Sequence, residues 1–370
     1  MKTIPILVVL LISFDFFGQS TLIPDPNFEQ ALIDANIDTD GLNGTILNAD
    51  AEQIIGDLDV SNKNINDLTG IEAFVNLSTL NCSNNNLITL DLSVNTELIA
   101  ISATSNNLTD INLTNIQALN VLDIADNQLD SLDFSSHPDL WWLMCYTNNL
   151  TYLNISTNSN LEYLSCAENQ LTGNLDISNL YNLQFFVCRA NQLSSITLSY
   201  HGDMSTFNCQ NNSITELDLS TCYPLEEVMV DSNELIALNI KNGMNNYITD
   251  FRANGNPNLY CIQVDDSINS TNNLNWIKDS QSYYSEECDW ANISETESWS
   301  FNILPNPAAD WIIIKVDSPQ NNHVEISDIK GKILLSQIIT EKETTIDLKD
   351  LSNGAYLIKI DHAVERFIKN

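Results

Sequence analysis

The chain has 370 residues, 43% of them hydrophobic, and a formal net charge of −35. That length can bury a sizeable core, and the charge excludes nucleic acid and anionic membrane as partners, because the cationic phosphate-contacting surface they need is missing. Residues 20 to 298 hold only five basic side chains, Lys63, Arg189, Lys241, Arg252 and Lys278, and this acidity reads as a means of keeping a protein soluble rather than as a specific cationic-ligand site.

Residues 1–19 carry Lys2, an apolar run from Ile4 to Ile12, and then Phe16, Phe17 and Gly18, the pattern of a signal peptide cleaved near Gly18 or Gln19. No later apolar run reaches the about 18 residues needed to cross a bilayer as a helix, so no transmembrane span is expected. Residues 20–57 read as an N-terminal cap, with a helix from Pro26 that buries Phe28, Leu32 and Ile33. Asp38-Thr39-Asp40-Gly41 and Asn43-Gly44 follow at spacings close to a calcium loop, but the terminal glutamate is absent. A cap turn is the expectation, with calcium binding left open.

From residue 58 to 264 the chain repeats. Asn85, Asn106, Asn127, Asn148, Asn169, Asn191, Asn212, Asn233 and Asn256 recur at 21 to 23 residues, each in one hydrophobic frame. One unit reads Leu77-x-x-Leu80-x-Cys82-x-x-Asn85-x-Leu87-x-x-Leu90-x-Leu92. A single coil cannot bury its own apolar stripe and a stack can. Alternation at Leu80 and Cys82 predicts a short strand, its neighbours pairing into a parallel concave sheet, with the Asn amide turned inward to serve unpaired backbone. The pattern resembles the leucine-rich repeat (LRR) family, and the Leu-Asp-Leu-Ser wording at 90–93 and 217–220 resembles secreted repeats of the Bacteroidetes type. The fold class expected is an LRR solenoid with a mostly irregular convex side.

Five of the eight cysteines, Cys82, Cys145, Cys166, Cys188 and Cys209, take the inward position that other coils fill with Ala103, Ile124, Val230 and Ala253. Small apolar volume explains them; they stand in one line with no histidine among them, so no metal site is expected. Cys222 sits on the loop side as a free thiol. Cys261 and Cys288 lie past the last coil, where an extracytoplasmic location favours a disulfide closing a C-terminal cap and linker at 265–298.

After residue 298 the composition changes, and eight of the 14 basic residues fall in 299–370. Short alternating strands separated by Gly, Pro, Asp and Asn turns predict a small β-sandwich. Phe301-x-x-x-Pro305-Asn306-Pro307-Ala308, then Asp328-x-x-Gly331-Lys332, then Leu351-Ser352-x-Gly354-x-Tyr356 resemble the sorting domain (type A) of the type IX secretion system. That resemblance implies export across the outer membrane, the secretion machinery as a partner, release or surface attachment, and address roles for Pro305, Asn306, Pro307, Gly331, Gly354 and Tyr356.

A ligand-binding function belongs on the outward residues of the concave sheet. These are small in most coils, but three successive coils present Trp142, Met144 and Tyr146, then Tyr163, then Phe185 and Arg189. Trp142, Tyr163 and Phe185 fall side by side, able to stack on sugar rings or anchor a protein, or simply to stabilise the sheet. Trp141 is expected to face the other way, against a coil edge. No catalytic residue, metal or cofactor is expected: His137, His201, His323 and His362 are scattered over loops and the tail, and Asp123 and Glu227 lie several coils apart without a water-excluding pocket. The reading is a monomeric, non-enzymatic surface or secreted protein that recognises a protein or a glycan. A structural coat without a ligand is the alternative, and a polysaccharide-active enzyme the least favoured.

Overall fold

The computed structural model describes residues 20–288, 302–315, 322–328, 332–339, 341–360 and 363–370. The signal-peptide residues, Phe301, Gly331 and His362 lie outside the described residues. The chain divides into two compact units, Met1–Cys288 and Asp289–Asn370.

In the first unit, one strand per coil joins a single parallel sheet of 11 strands, running from Gly56–Asp59 and Leu77–Asn81 through Trp142–Met144, Tyr163–Ser165 and Phe185–Val187 to Asp250–Arg252 and Trp276–Ile277. Apart from a shift at Gly56 and Asp57 in the first strand the register is uniform, so residues at equivalent repeat positions form columns across the sheet. Leu80, Leu122, Leu143, Leu164 and Phe186 are fully buried, as are all five ladder cysteines. Burial pushes the Cys82 and Cys166 thiols up to about 12, so they are inert packing groups. The residues after 264 continue the pattern: Trp276–Ile277 joins the concave sheet and Tyr283–Ser285 a convex one. Cys261 and Cys288 form a disulfide with Cα atoms 5.8 Å apart, and Trp276 packs on Phe251 at 4.8 Å over the end of the core.

The turn after each concave strand follows one recipe. The residue before each ladder asparagine, from Asn84 to Ser232, is left-handed with φ between 53° and 56°, and Gly255 takes that place before Asn256. The asparagine then satisfies what the turn exposes. Asn106 donates from Nδ2 to the carbonyls of Cys82, Ala103 and Thr104, while its Oδ1 accepts the Leu87 N–H at 3.0 Å. The same acceptor bond reaches back one coil from Asn127, Asn148, Asn169, Asn191, Asn212, Asn233 and Asn256. Each amide therefore joins its own turn to its predecessor's.

On the convex side, short parallel strands first pair two by two, Thr89–Asp91 with Asp110–Asn112, Ser131–Asp133 with Tyr152–Asn154, and Thr172–Asp176 with Gln192–Thr197, and then Glu216–Asp218, Ala237–Asn239, Cys261–Gln263 and Tyr283–Ser285 form one four-stranded sheet. A side-chain alternation accompanies this pairing. Asp91, Asp133 and Asp218 each accept an Nδ2–H bond at 3.0 Å from the asparagine one coil on, Asn112, Asn154 and Asn239. Where Asp133 follows Asn112 no such donor exists, because an ionised carboxylate only accepts. A hollow of about 340 Å³ opens there, lined by Asp110, Asn112, Asp130 and His137 among others.

A second buried column lies in the descending turn, and it is chemically mixed: Asn95, Ile116, His137, Asn158, Leu180, His201, Cys222 and Asn245 are all buried. The two histidines expected on loops are thus interior groups, and Cys222 is a buried free thiol. Asn158 donates to the carbonyls of Phe134 and His137. His137 and His201 hydrogen-bond to the carbonyls of Leu113 (3.2 Å) and Leu180 (3.0 Å), so a carbonyl needing a donor, rather than chemistry, sets their place.

The N-terminal end is closed by the helix Pro26–Asp34, which buries Phe28, Ala31 and Leu32 but leaves Ile33, expected on the same side, only half-buried. Asp25 caps it, accepting from Asn27 and Phe28 N–H, and its second oxygen takes the N–H groups of Asn66 and Asp67 in the first coil. Burial opposes its ionisation, but these bonds outweigh that and hold the carboxyl below its ordinary range. Glu29 is buried and accepts the Asn43 and Gly44 N–H groups at 2.6 Å, which fixes the Asp38–Gly44 stretch as a turn against the helix.

The second unit holds two antiparallel sheets. Asn302–Leu304, Trp311–Lys315 and Glu343–Asp347 form one, and Ile333–Ile339, Asn322–Asp328, Gly354–Ile360 and Ala363–Lys369 the other. Ile312, Ile314, Val324, Ile326, Ile346, Ile358, Ile360 and Phe367 share one core, so the unit is a small β-sandwich. The Pro305-Asn306-Pro307 segment is held to the last strand: Asn306 Oδ1 accepts the Ile368 N–H, and the Ala308 N–H donates to the Ile368 carbonyl. Tyr356 stacks on Phe367 and donates its hydroxyl to the Ser352 carbonyl at 2.6 Å.

Candidate functional site

Alternation along each concave strand sends one residue inward and its neighbours outward, and the register fixes which outward residues meet. The first outward column reads Thr79, Ala100, Val121, Trp142, Tyr163, Phe185, Thr206, Glu227 and Asp250. Three rings therefore stand in consecutive strands between small residues on one side and a threonine followed by carboxylates on the other.

The rings stack along the sheet. Trp142 and Tyr163 lie 4.5 Å apart at 32°, and Tyr163 and Phe185 6.2 Å apart at 28°. Trp141 joins them, standing edge-on to Trp142 (5.8 Å) and to Tyr163 (6.1 Å) while 37% exposed. This corrects the expectation that it turns away to a coil edge: it sits where the chain enters the strand, and a large ring there leans over the row. Two adjacent tryptophans at a strand entry were the available signal.

The other predicted residues are more dispersed. Met144 lies in the second outward column between Asp123 and Ser165. Tyr146 and Arg189 share the third column, but the coil between them presents only Ala167. Arg189 is held by Glu168 at 2.7 Å. Burial, then the nearby Asp123, Asp126 and Glu168, pushes the Tyr146 phenol up. Burial likewise pushes the Asp123 carboxyl up, against a bond from the Ala125 N–H.

At the C-terminal end of the face, Asp250 grips Arg252 with two bonds of 3.0 and 2.8 Å. Asp250, then Asp231 and Glu227, hold that guanidinium ionised. Gln210 Nε2 donates to Asp231. Among the described residues no group of three or more His, Cys, Asp or Glu is arranged to hold a metal, and no helix is long and apolar enough to cross a membrane.

Fold and repeat chemistry together define the class: a leucine-rich repeat solenoid followed by a β-sandwich. Comparison with known families supplies the rest. Residues 45–158 match the family described as the endo-beta-N-acetylglucosaminidase EndoS LRR domain, and residues 302–370 match the secretion system C-terminal sorting domain. The chain is a leucine-rich repeat protein carrying a type IX sorting domain, exported to the outer surface or secreted. No curated protein matches it.

Among solved structures, the functional domain of InlJ from Listeria monocytogenes, which includes a cysteine ladder, is 22% identical with a TM-score of 0.44, over 95% of this chain and 99% of that one. An internalin C2 of the same species is 23% identical with a TM-score of 0.44, over 59% and 91%. An LRR protein of Leptospira interrogans is 20% identical with a TM-score of 0.39, over 48% and 55%.

Proposed function

We propose that this is a non-enzymatic binding protein of the cell exterior, whose concave face docks a protein through the row Trp142, Tyr163 and Phe185, with Trp141 at its edge. The observation that carries the reading is the position of the rings: partly exposed, in consecutive strands, on a face whose other outward residues are mostly small or charged. Aromatic clusters of this kind anchor protein partners because they bury much area at little entropic cost.

A protein suits the row better than a glycan. Stacking a glycan along the row needs a ring face open to solvent in each coil, but Trp142 and Tyr163 turn toward each other at 4.5 Å, and only Phe185, beside Thr206, keeps a face toward a small neighbour. Binding of the full chain to protein and glycan arrays tests this: protein hits are expected, lost on replacing Trp142, Tyr163 and Phe185 together by Ser. Glycan hits lost in that variant would transfer the site to sugars. Hits that survive it, or none, would favour a structural coat component.

A further inference from the structure

We infer that the ligand of this face is an extended basic polypeptide segment, seated with an apolar side chain against the open face of Phe185 and a lysine or arginine over the carboxylates further along. The inference rests on the docking reading above and adds the chemistry of the partner.

The row of rings has two different ends. At its N-terminal end Trp142 continues in register into Val121, Ala100 and Thr79, neutral residues, with Asp123 partly buried in the next column. At the other end Phe185 meets Tyr163 on one side only, and its register partner on the other side is Thr206. The drop from a phenyl ring to a threonine leaves a step, and an apolar side chain in that step would rest on Phe185.

Beyond Thr206 come Glu227 and Asp250. At about 4.8 Å per strand, Glu227 lies roughly 10 Å and Asp250 roughly 14 Å from the Phe185 strand, the reach of about three or four extended residues. Asp250 already balances Arg252 with its paired bonds. Glu227 and Asp231, whose charges act on the same guanidinium, therefore leave the patch with an excess of negative charge. A net charge of −35 alone selects no ligand; an apolar step beside uncompensated carboxylates at a fixed spacing does, and it would steer a cationic segment while repelling acidic ones.

The test is selection of random dodecapeptides on the immobilised full chain, followed by titration of the selected peptides against variants. The expected peptides carry an apolar residue followed about three or four positions later by Lys or Arg. Their affinity should fall about tenfold in Phe185→Ser and again in the Glu227→Gln, Asp231→Asn double variant, and should weaken as salt is raised across the screening range. Peptides without basic residues, or binding lost with the rings but unchanged in the double variant, would overturn the basic ligand and leave the docking face standing. Peptides indifferent to removal of Trp142, Tyr163 and Phe185, or no peptides at all, would overturn both. Near-ultraviolet circular dichroism of each variant separates lost binding from lost fold.

Discussion

Each coil turns twice, and its two buried turns are built differently. After the concave strand, one residue type in one geometry recurs nine times, Asn85 to Asn256, with the same Nδ2 and Oδ1 bonds. In the descending turn, asparagine, isoleucine, histidine, leucine and cysteine share one column. The first turn contains a left-handed residue and leaves N–H and C=O groups that only a short amide can serve at once. The second needs volume, and a donor where a carbonyl happens to be exposed, so several side chains suffice.

The largest expected effect is at the demanding turn. Asn148→Ala removes one of two donors from each of the carbonyls of Ile124, Cys145 and Tyr146, which keep Asn127 Nδ2, Asn169 Nδ2 and the Asp126 N–H, and it leaves the buried Leu129 N–H without its acceptor. Buried groups left unpaired cost about 1–3 kcal/mol each when no water reaches them, so urea unfolding should show a loss of about 2–4 kcal/mol. Asn158→Leu, at the permissive turn where Leu180 already stands one coil on, should cost about 1–2 kcal/mol in the same measurement. Equal losses at the two sites would erase the distinction.

A smaller change of opposite sign should come from the left-handed position. Ala190 has φ 54° and no side-chain bond. Ala190→Gly should raise stability by about 1 kcal/mol, because the Cβ clash outweighs the entropy of the added freedom. An unchanged midpoint would show that the turn carries no strain.

The smallest expected effect is on pH. Burial holds the His201 imidazole below its ordinary 6.5, partly opposed by the bond to the Leu180 carbonyl. A depressed histidine contributes stability that is complete above about 6.5 and is lost as pH falls through that value, because the unfolded chain then takes up the proton first. His201→Asn should therefore flatten the fall in stability between about pH 6.5 and 5. Asp38 works against it: burial, then Asp40, raises its carboxyl to about 6, so its contribution is present below 3.8 and is lost as pH rises through 6. Asp38→Asn should stabilise the chain at pH 7.5 and not at pH 4, by thermal melting.

The same contrast explains what the sequence disclosed. The asparagine ladder was legible because one residue type has no substitute, and it located the concave strands and their outward columns. The second column was not, since volume and an occasional donor leave no single-letter trace, and His137 and His201 read as stray loop residues. The left-handed position carries Asn, Ser, Asp, Thr, Glu and Ala in turn, and so has no signature at all. The convex Asp and Asn alternation, Asp91, Asn112, Asp133, Asn154, does leave one, a doubled period visible only when coils are compared in pairs. For the site, Trp142, Tyr163 and Phe185 followed from counting outward positions. Trp141 did not, because a ring at a strand entry can lean either way until its neighbours are known.

On the proposed function, fold and recognition rest on separate side chains, the ladder inside and the rings outside. Equilibrium urea unfolding of the variant with Trp142, Tyr163 and Phe185 all replaced by Ser tests it most directly. The transition of the solenoid unit is predicted to stay as cooperative as in the native chain, with the same slope and a lowered midpoint, since partly exposed ring pairs contribute only about 0.5–1.5 kcal/mol each beyond their burial. A split transition, or a slope well below the native one, would mean the rings hold the solenoid together and would contradict the account.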